Sequence, residues 1–395
     1  MNPLDGITVL DFSRVLAGPM ATQILAELGA EVIKVERPRV GDETRRFEPL
    51  LDGGESAYFF AFNRGKRSVT LDLRQPRGRE LARRLSLQAD VVVENHLPGR
   101  MKDLGLDYET LSADHPALVY VSTTGFGLDG PDKDRKGYDT VFQALSGTMS
   151  LTGHPDGPPA KAGFPAADMT SGLWIVIAAL AGLAGRAATG RGRHFDLAMM
   201  DVQISLLALA AARVFALDEE PTRTGTEHPG RVPSAAFECA GGEWLHISGS
   251  DQHWAGLCET LGLADLAADE SLARNRGRVE QRERVMASLR EAIARRDRGS
   301  LVAELRAVGV PAGEVRSVKE ALGDPQTVAR EMVGEFTHPG EGAFPALRTP
   351  LRAAGSPPPA VSSPPLLGAD TEEVLGSILG IGPREIEALR EEGTI

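Results

Sequence analysis

The 395-residue sequence has only two cysteines, 5% aromatic residues and none of several motifs that assign a chemistry directly. Cys239 and Cys258 are not part of a CxxC pair and have no histidine at metal-ligand spacing, which argues against a disulfide framework or a zinc site. The first βα turn, residues 13–19, lacks GxGxxG, and no P-loop, GxSxG elbow or HExxH pair occurs. The usual NAD cradle, ATP-dependent ligation, a serine acyl hydrolase and a metal protease are therefore not supported.

Positive charge and long apolar segments are also scarce. A net charge of -12 argues against a general nucleic-acid binder, because phosphate contacts need a large positive surface. No basic segment followed by an apolar one opens the chain, and the apolar run 173–185 is shorter than the roughly 18 residues that span a bilayer. We therefore expect a cytoplasmic protein without nucleic-acid or membrane partners.

The amino-terminal part alternates short β-branched runs with helical patterns. A strand at 7–12, a helix at 21–28 and a strand at 31–35 make one βαβ unit. Further strands are expected at 68–73, 91–94 and 118–122, with a helix at 78–87 between them. This alternation predicts an α/β fold with a parallel sheet and a Rossmann-like large domain.

The chain as a whole divides into three parts. They are the amino-terminal part of the large domain at 1–220, a small α/β domain at 221–330 and a carboxy-terminal segment at 331–395. The expected elements are an apolar helix at 170–187, a strand at 194–198, a helix at 201–217, a linker at 221–233, a hairpin of 235–239 with 244–248, charged helices at 253–261, 279–296 and 300–308, a proline-rich strap at 355–367, and helices at 371–379 and 383–392.

Basic residues follow several of the predicted strands. Carboxyl ends of parallel strands meet at one sheet edge, where such residues can bind the phosphates of an acyl carrier such as coenzyme A (CoA). The alternative is that they are solvated surface charges. The residues are Arg37, Lys66, Arg67, Arg74, Arg100 and Lys102.

One carboxylate, Asp168, stands at the predicted start of the apolar helix, among small residues. Aspartate is a favoured N-cap, so a purely structural role would explain it. The same helix end would also keep the carboxylate ionised, and its small neighbours leave room for a thioester, so a nucleophile is the functional alternative.

Short motifs recur along nearly the whole chain in a fixed order. They are 6–12 (GITVLDF), 18–19 (GP), 28–36 (LGAEVIKVE), 63–73 (NRGKRSVTLDL), 93–95 (VEN), 125–127 (GFG), 130–131 (GP), 137–139 (GYD), 189–192 (TGRG) and 366–368 (LLG). In order and spacing these motifs resemble class III CoA-transferases. That family includes formyl-CoA and carnitine CoA-transferases and α-methylacyl-CoA racemase.

The resemblance implies a Rossmann-like large domain built from both chain ends, a small α/β domain and an interlocked homodimer. Acyl-CoA and small carboxylic acids would be the partners, with CoA as substrate and product and with no metal or tightly bound cofactor. It places the catalytic aspartate on Asp168. By position it places CoA contacts on Val15, Leu16, Ala17, Arg37, Leu71, Asp72, Leu73, Arg74, Asn95, His96, Leu97, Lys136, Gly137, Tyr138 and Asp139. Arg100, from the basic residues above, is a further candidate for CoA binding.

The implied reaction moves CoA from an acyl-CoA donor to a carboxylic acid acceptor. Asp168 attacks the donor thioester to give a mixed anhydride, and the released thiolate returns to the aspartyl carbonyl to give an aspartyl-CoA thioester. The acceptor acid then takes the CoA by the reverse steps.

Two alternatives remain at this point, and the substrates are open. A racemase would need a histidine beside Asp139, where this chain has Tyr138, and tyrosine is a poor base near pH 7. A non-catalytic CoA-binding protein of the same fold is the other. Some relatives close the site with a run of glycines, but this chain has only 248–254 (SGSDQHW), which speaks against formyl or oxalyl specificity. Leu16 and Ala17 likewise lack the polar group that formyl-CoA transferase has there.

Overall fold

A computed structural model of the protein describes residues 2–395. The chain forms two compact units. The first unit contains the chain through Thr148, Ala162–Ala212 and Pro325–Ile395, and the second contains Met149–Lys161 and Arg213–Asp324. The second unit thus includes a short earlier segment that the predicted division at residues 220 and 330 assigns to the large domain.

The first unit is built on a six-stranded parallel sheet with the order β3-β2-β1-β4-β5-β6. This is the strand order of doubly wound dinucleotide-binding folds, so the predicted parallel α/β architecture is confirmed. The strands are β1 Thr8–Asp11, β2 Glu31–Glu36, β3 Lys66–Thr70, β4 Val91–Glu94, β5 Val119–Thr124, β6 His194–Ala198, β7 Ser234–Glu238, β8 Trp244–Ser248, β9 Ala312–Glu314, β10 Val333–His338 and β11 Gly342–Leu347.

Helices connect and cover these strands. They are α1 Ala17–Glu27, α2 Ala57–Phe62, α3 Pro76–Ser86, α4 Arg100–Leu104, α5 Tyr108–Asp114, α6 Asp139–Leu145, α7 Thr148–Leu151, α8 Ala166–Thr189, α9 Met199–Ser205, α10 Ala208–Leu217, α11 Trp254–Leu261, α12 Ala264–Ala268, α13 Asn275–Glu280, α14 Arg282–Ala294, α15 Arg298–Ala307, α16 Val318–Leu322, α17 Pro325–Ala329, α18 Thr371–Leu379 and α19 Pro383–Glu391. Short 3-10 turns lie at Glu43–Arg46, Ala240–Gly242, Asp251–His253 and Glu270–Leu272.

Apolar cores cover both faces of the parallel sheet because side chains alternate along each strand. Leu10 and Ile33 face the core that includes residues of α3 and α18. Val9 and Val32 face the opposite core, which includes α1 and α8. Burial on both faces explains why these strands are near-continuous apolar runs in the sequence.

Helix α8 is the long apolar helix of the first unit, and it begins at Ala166 rather than at the predicted Thr170. A Cβ on Gly172 would lie 2.9 Å from the carbonyl oxygen of Ala17, so glycine permits close contact with α1. Among residues 2–395, α8 is the one unbroken helix long and apolar enough to cross a membrane, although half of its 18-residue apolar window is buried. The apolar run 173–185, which by itself is too short to span a bilayer, is thus part of a longer apolar helix.

Three helical predictions differ from the structure in their detail. The helix expected at 201–217 is two helices, α9 and α10, with a bend of 65° between them. Taken together, this bent pair is also long and apolar enough to cross a membrane. The helix expected at 279–296 is interrupted at Gln281, between α13 and α14. Helix α1 begins at Ala17, earlier than the predicted Ala21, because Pro19 suits a first turn.

The carboxy-terminal segment packs against strand β3 within the first unit. Asp370 accepts a hydrogen bond from the backbone N–H of Ser68 (2.8 Å), and the carbonyl of Thr394 accepts one from Asp72 (2.8 Å). The β10–β11 hairpin, which sequence analysis did not predict, packs Phe336 against Phe60 of α2. Both ends of the chain therefore build the first unit.

The second unit has its own antiparallel sheet, β7-β8-β9, and its own apolar core. The predicted hairpin is present as β7 and β8. Arg278 is fully buried, donates hydrogen bonds to the carbonyls of Val232 and Leu272 (2.7 Å each), and pairs with Asp251 at 2.7 Å. Both cysteines, Cys239 and Cys258, are buried and unpaired in this unit.

Candidate active site

A cavity of about 350 Å³ lies at the carboxyl ends of β1, β2 and β3, where ligands bind in open α/β sheets. Several of the residues predicted to contact CoA line it together, although they are spread over sixty positions of sequence. Those lining residues are Arg37, Leu71, Asp72, Leu73, Arg74 and His96. The cavity is therefore the strongest candidate for binding the nucleotide part of CoA.

Arginines supply the positive charge of this cavity. Arg37 and Arg74 follow the ends of β2 and β3, and Arg14 belongs to the loop after β1. Arg74 makes a two-pronged contact with Asp72 (2.9 and 2.6 Å), and this contact with the guanidinium lowers the pKa of Asp72 to about 2. Guanidinium groups so arranged suit a phosphate-bearing ligand.

His96 lines the same cavity as a neutral imidazole. Burial, together with the positive charges of Arg14 and Arg100, lowers the pKa of His96 to about 4. Arg100 itself is exposed on α4. His96 can therefore contact a ligand without adding charge to the cavity near pH 7.

Two of the basic residues considered as phosphate ligands have another role. Lys66 lies at the start of β3, not beyond its end, and its buried ammonium donates to Asp11 (3.1 Å) and to the carbonyl of Pro19 (2.9 Å). Arg67 pairs with Glu31 at 2.7 Å. The structure does not support these two residues as phosphate ligands, because they lie at the start of β3, away from the cavity at the strand's carboxyl end, and both pair with acids.

The loop after β1, residues 13–17, leads from the cavity to α8. Ser13 and Arg14 line the cavity, and Ala17 contacts Gly172, one turn beyond Asp168. Val15 is partly exposed in this loop, whereas Leu16 and Ala17 are buried. We call residues 13–17 the first loop.

Other predicted CoA contacts do not line this cavity. Both polar atoms of the Asn95 amide bond the backbone of Arg14, accepting from N–H (2.9 Å) and donating to C=O (2.7 Å). Leu97 lines a smaller neighbouring cavity of about 180 Å³. Lys136 and Tyr138 are exposed, with Tyr138 80% exposed, and Gly137 is partly exposed.

Asp168 lies in the first turn of α8, but it is not the helix cap. The N-cap residue is Pro165, and no side chain caps the helix through that residue. Burial, together with the negative charge of Asp139, raises the pKa of Asp168 to about 7. The helix end was expected to keep this carboxylate ionised, whereas burial and the like charge of Asp139 both favour its protonated form.

Asp139, which belongs to helix α6, supplies the side-chain cap that α8 lacks. Its carboxylate accepts hydrogen bonds from the backbone N–H groups of Ala167 (2.7 Å) and Asp168 (3.2 Å), and from the side-chain amide of Gln143 (2.6 Å). Sequence analysis placed Asp139 among CoA contacts. In the structure it holds the backbone that carries Asp168.

Tyr58 is a site residue that sequence analysis missed. Burial, together with the negative charges of Asp168, Asp42 and Asp139, raises the pKa of Tyr58 to about 12. A protonated hydroxyl group therefore lies near Asp168. Tyr58 is on α2, which Ser56 caps by accepting from the backbone N–H groups of Tyr58 (3.2 Å) and Phe59 (3.3 Å). The cap signature predicts such a helix, but not its neighbours in space.

Among residues 2–395, no group of three or more histidine, cysteine, aspartate or glutamate side chains is arranged to hold a metal ion. A parallel α/β unit with an arginine-lined cavity at its strand ends is typical of proteins that bind nucleotide-containing ligands.

Comparison with known proteins narrows this class. The model of CoA-transferase family III matches residues 4–371. The chain is 39% identical over 382 residues to a succinate–glutarate CoA-transferase of Agrobacterium fabrum, covering 95% of this chain and 96% of that protein. It is 36% identical to the succinyl-CoA:glutarate CoA-transferase of Mus musculus, covering all of this chain and 91% of that protein.

Solved structures agree with the sequence comparison. The crystal structure of a CAIB/BAIF family protein from Brucella suis superposes with a TM-score of 0.85 at 42% identity, covering 96% of this chain and 100% of that chain. The protein belongs to CoA-transferase family III, so the family prediction is confirmed. It is an enzyme of the CoA-transferase class, for which CoA thioesters are substrates.

Proposed function

We propose that the protein moves CoA from succinyl-CoA, or a similar dicarboxylic acyl-CoA, to a second short dicarboxylate through a covalent intermediate on Asp168. The observation that carries this proposal is the position of Asp168. Its carboxylate is partly buried at the start of α8, near the Tyr58 hydroxyl group, and α8 contacts the first loop of the arginine-lined cavity. The names of the Agrobacterium and mouse relatives support dicarboxylates as the exchanged acids.

The first half of the reaction transfers CoA to the enzyme. One carboxylate oxygen of Asp168 bonds to the donor carbonyl carbon, and the carbon–sulfur bond breaks to give a mixed anhydride and CoA thiolate. The thiolate then attacks the aspartyl carbonyl and releases the donor acid as a carboxylate. One thioester is exchanged for another, so the energy of the activated acyl group is kept.

The second half transfers CoA to the acceptor. The acceptor carboxylate attacks the aspartyl thioester and expels CoA thiolate, which then attacks the acceptor carbonyl of the new anhydride. Asp168 leaves as a carboxylate, and no net proton is taken up or released. We assign Tyr58, whose hydroxyl group is within electrostatic range of Asp168, as a hydrogen-bond donor to the negative charge that develops, which is the role that preorganised donors have in acyl transfer.

The raised pKa of Asp168 fits a residue that must be both a nucleophile and a leaving group. A more basic carboxylate is a stronger nucleophile, but only its ionised form reacts. With a pKa of about 7, a large ionised fraction remains at neutral pH. Strongly perturbed carboxyl groups of this kind are concentrated at functional sites.

Isotopic labelling tests the covalent role of Asp168. If both carboxylate oxygens of the acceptor acid are heavy oxygen, each turnover leaves one of them on Asp168. Mass spectrometry of the peptide containing Asp168 should then show heavy oxygen, whereas the peptide containing Asp139 should not. Turnover with an unlabelled Asp168 peptide would overturn the covalent step.

A panel of donors and acceptors tests the substrate class. Succinyl-CoA with a five-carbon dicarboxylate should give products, and the Asp168→Asn variant should give none above background. Monocarboxylate acceptors that outperform every dicarboxylate would contradict the proposed substrates. If a 2-methylacyl-CoA incorporated solvent deuterium at its α-carbon without any acceptor, racemisation would replace transfer as the proposed reaction.

We also propose a homodimer, as the family resemblance implies. Four large apolar side chains form a stripe along α8 and are more than a third exposed in the single chain: Leu173, Trp174, Ile177 and Leu180. Exposed apolar surface of this kind marks interaction sites, and a second copy is the occupant that the family implies. Sedimentation should give a dimer, and the Trp174→Glu variant should dissociate. A monomer, or binding to lipid vesicles, would contradict this proposal.

A further inference from the structure

Side chains from several elements hold the backbone of the first loop. Asp11 accepts a hydrogen bond from the N–H of Ser13 at 2.8 Å. Asn95 binds both the N–H and the C=O of Arg14. Since Ser13 and Arg14 line the arginine-lined cavity, these contacts fix part of its wall.

Val15 adopts a conformation that its side chain disfavours. Its φ is 70°, in the left-handed region, which is a genuine outlier for a β-branched residue. Such backbone strain persists only where surrounding groups enforce it. The backbone N–H of Val15 points to the Asp42 carboxylate, with distances of 3.3 and 3.4 Å to its two oxygens.

The Asp42 carboxylate is itself fixed by a buried ion pair. Its Oδ2 atom lies 2.9 Å from the Nζ atom of Lys34, and both side chains are 1% exposed. Thr44 donates to Oδ1 from its backbone N–H (3.0 Å) and its hydroxyl group (2.8 Å). Although burial acts to raise the pKa of Asp42, the Lys34 charge and the Thr44 N–H hold it at about 2.

The same ammonium group reaches the loop directly. Lys34 donates a hydrogen bond to the carbonyl of Ser13 at 2.9 Å, in addition to its contact with Asp42. A buried ion pair contributes little net stability compared with an apolar pair of similar volume. Its distinctive effect here is directional, because it holds a carbonyl at one end of the turn and an N–H at the other.

We infer that Asp42, fixed by Lys34, is a positioning residue that holds Val15 in its left-handed conformation and so presets the first loop for acyl-CoA. The loop is the segment between the cavity wall at Ser13 and the α8 contact at Ala17. If the loop adopts the binding-competent conformation only part of the time, its apparent affinity for the ligand falls in proportion to the fraction of time spent in that conformation. The inference rests on the proposed function in that acyl-CoA is taken as the ligand of the cavity.

Calorimetric binding of free CoA tests the inference without requiring catalysis. The Asp42→Asn variant should bind CoA at least about tenfold more weakly, because the strained turn is no longer enforced. Adding Val15→Gly should restore much of the affinity, because glycine adopts a positive φ without strain. If Val15→Gly gave no recovery, Asp42 would act on CoA directly or through general stability, and the inference would fail.

A second buried ion pair supplies the matched control. Glu27 pairs with Arg64 at 3.2 Å, on side chains that are 17% and 6% exposed, at the far end of α1 from the first loop. The Glu27→Gln variant should lower the unfolding temperature but leave the CoA dissociation constant unchanged. If it weakened CoA binding as much as Asp42→Asn, the effect would be general and the inference would be overturned.

A second variant covers the case in which Asp42→Asn does not fold, because that change leaves the Lys34 charge buried and unpaired. The paired change Lys34→Met with Asp42→Asn removes both charges and should fold. We expect it to bind CoA weakly and to recover on addition of Val15→Gly; absence of recovery would again refute the inference. Heavy-oxygen labelling of Asp168 tests the proposed function separately. If Asp168 gained no heavy oxygen but Val15→Gly still restored CoA binding, only the proposed covalent chemistry would be rejected.

Discussion

The carboxylate of Asp139 caps the helix that carries Asp168, accepting hydrogen bonds from the N–H groups of Ala167 and Asp168 itself. The two acids belong to different helices, α6 and α8, and are brought together only by the fold. Asp139 thereby both positions the Asp168 backbone and raises the pKa of the Asp168 carboxyl group.

Replacing Asp139 by asparagine should shift the pH profile of activity. The ionised form of Asp168 reacts, so kcat/KM should rise with pH through the Asp168 pKa of about 7 in the parent enzyme. Without the neighbouring negative charge that pKa falls, and the rise should occur about one pH unit lower. Burial, the larger cause of the raised pKa, remains in the variant. An unchanged or upward-shifted profile, measured with succinyl-CoA and glutarate, would contradict this assignment.

Removing the Tyr58 hydroxyl group should slow the chemical step. The Tyr58→Phe variant should lower kcat by about tenfold or more and change KM little, since a hydrogen bond to developing charge is lost only in the transition state. Tyr108→Phe is the matched control, because Tyr108 stacks on His194 in a different part of the unit. Equal losses in the two variants would argue against a specific role for Tyr58.

Neutralising Arg37 should weaken binding of the phosphate groups of CoA. The Arg37→Gln variant should raise KM for acyl-CoA about tenfold, the loss expected for one charge-assisted contact, and leave KM for the acceptor acid unchanged. Repeating the measurement with dephospho-CoA shows whether the 3′-phosphate is the group contacted. Arg83→Gln, on the exposed face of α3 where Arg83 pairs with Asp114, should have no effect on either KM.

Two glycines of α8 should respond oppositely to alanine. A Cβ on Gly182 would lie 2.5 Å from a side-chain carbon of Val119, so Gly182→Ala should lower the free energy of unfolding by about 1–3 kcal/mol. A Cβ on Gly185 would meet no atom within 4 Å. Gly185→Ala should therefore raise that free energy by up to about 1 kcal/mol through helix propensity. Urea unfolding of both variants measures the contrast, and a stabilising Gly182→Ala would refute this packing.

The sequence was sufficient to predict the parallel sheet and most of the helices that pack on it. Strands buried on both faces are near-continuous runs of β-branched residues, as in Val91–Glu94, and these runs are visible without tertiary information. Helix ends were harder, because a propensity pattern does not specify which group supplies the cap. The start of α8 shows this, since its orphan N–H groups are satisfied by Asp139 from another helix.

The roles of charged side chains were harder to predict from the sequence than the helices and strands were. Lys66 and Arg74 both read as basic residues beside a strand, but one is buried against Asp11 and the other lines the cavity. The sequence pattern did not separate these cases, because the burial of the Lys66 ammonium depends on Asp11 and Pro19, which belong to a different strand and helix.

By itself, the sequence determined the α/β class, the family and the aspartate expected to carry the chemistry, because these depend on local patterns and ordered motifs. Only the tertiary structure decided in which direction the pKa of Asp168 shifts, that Tyr58 is within electrostatic range of it, and that the Val15 N–H points to Asp42. Those properties arise from burial and from the distances between charges on separate elements, and neither quantity exists until the chain is folded.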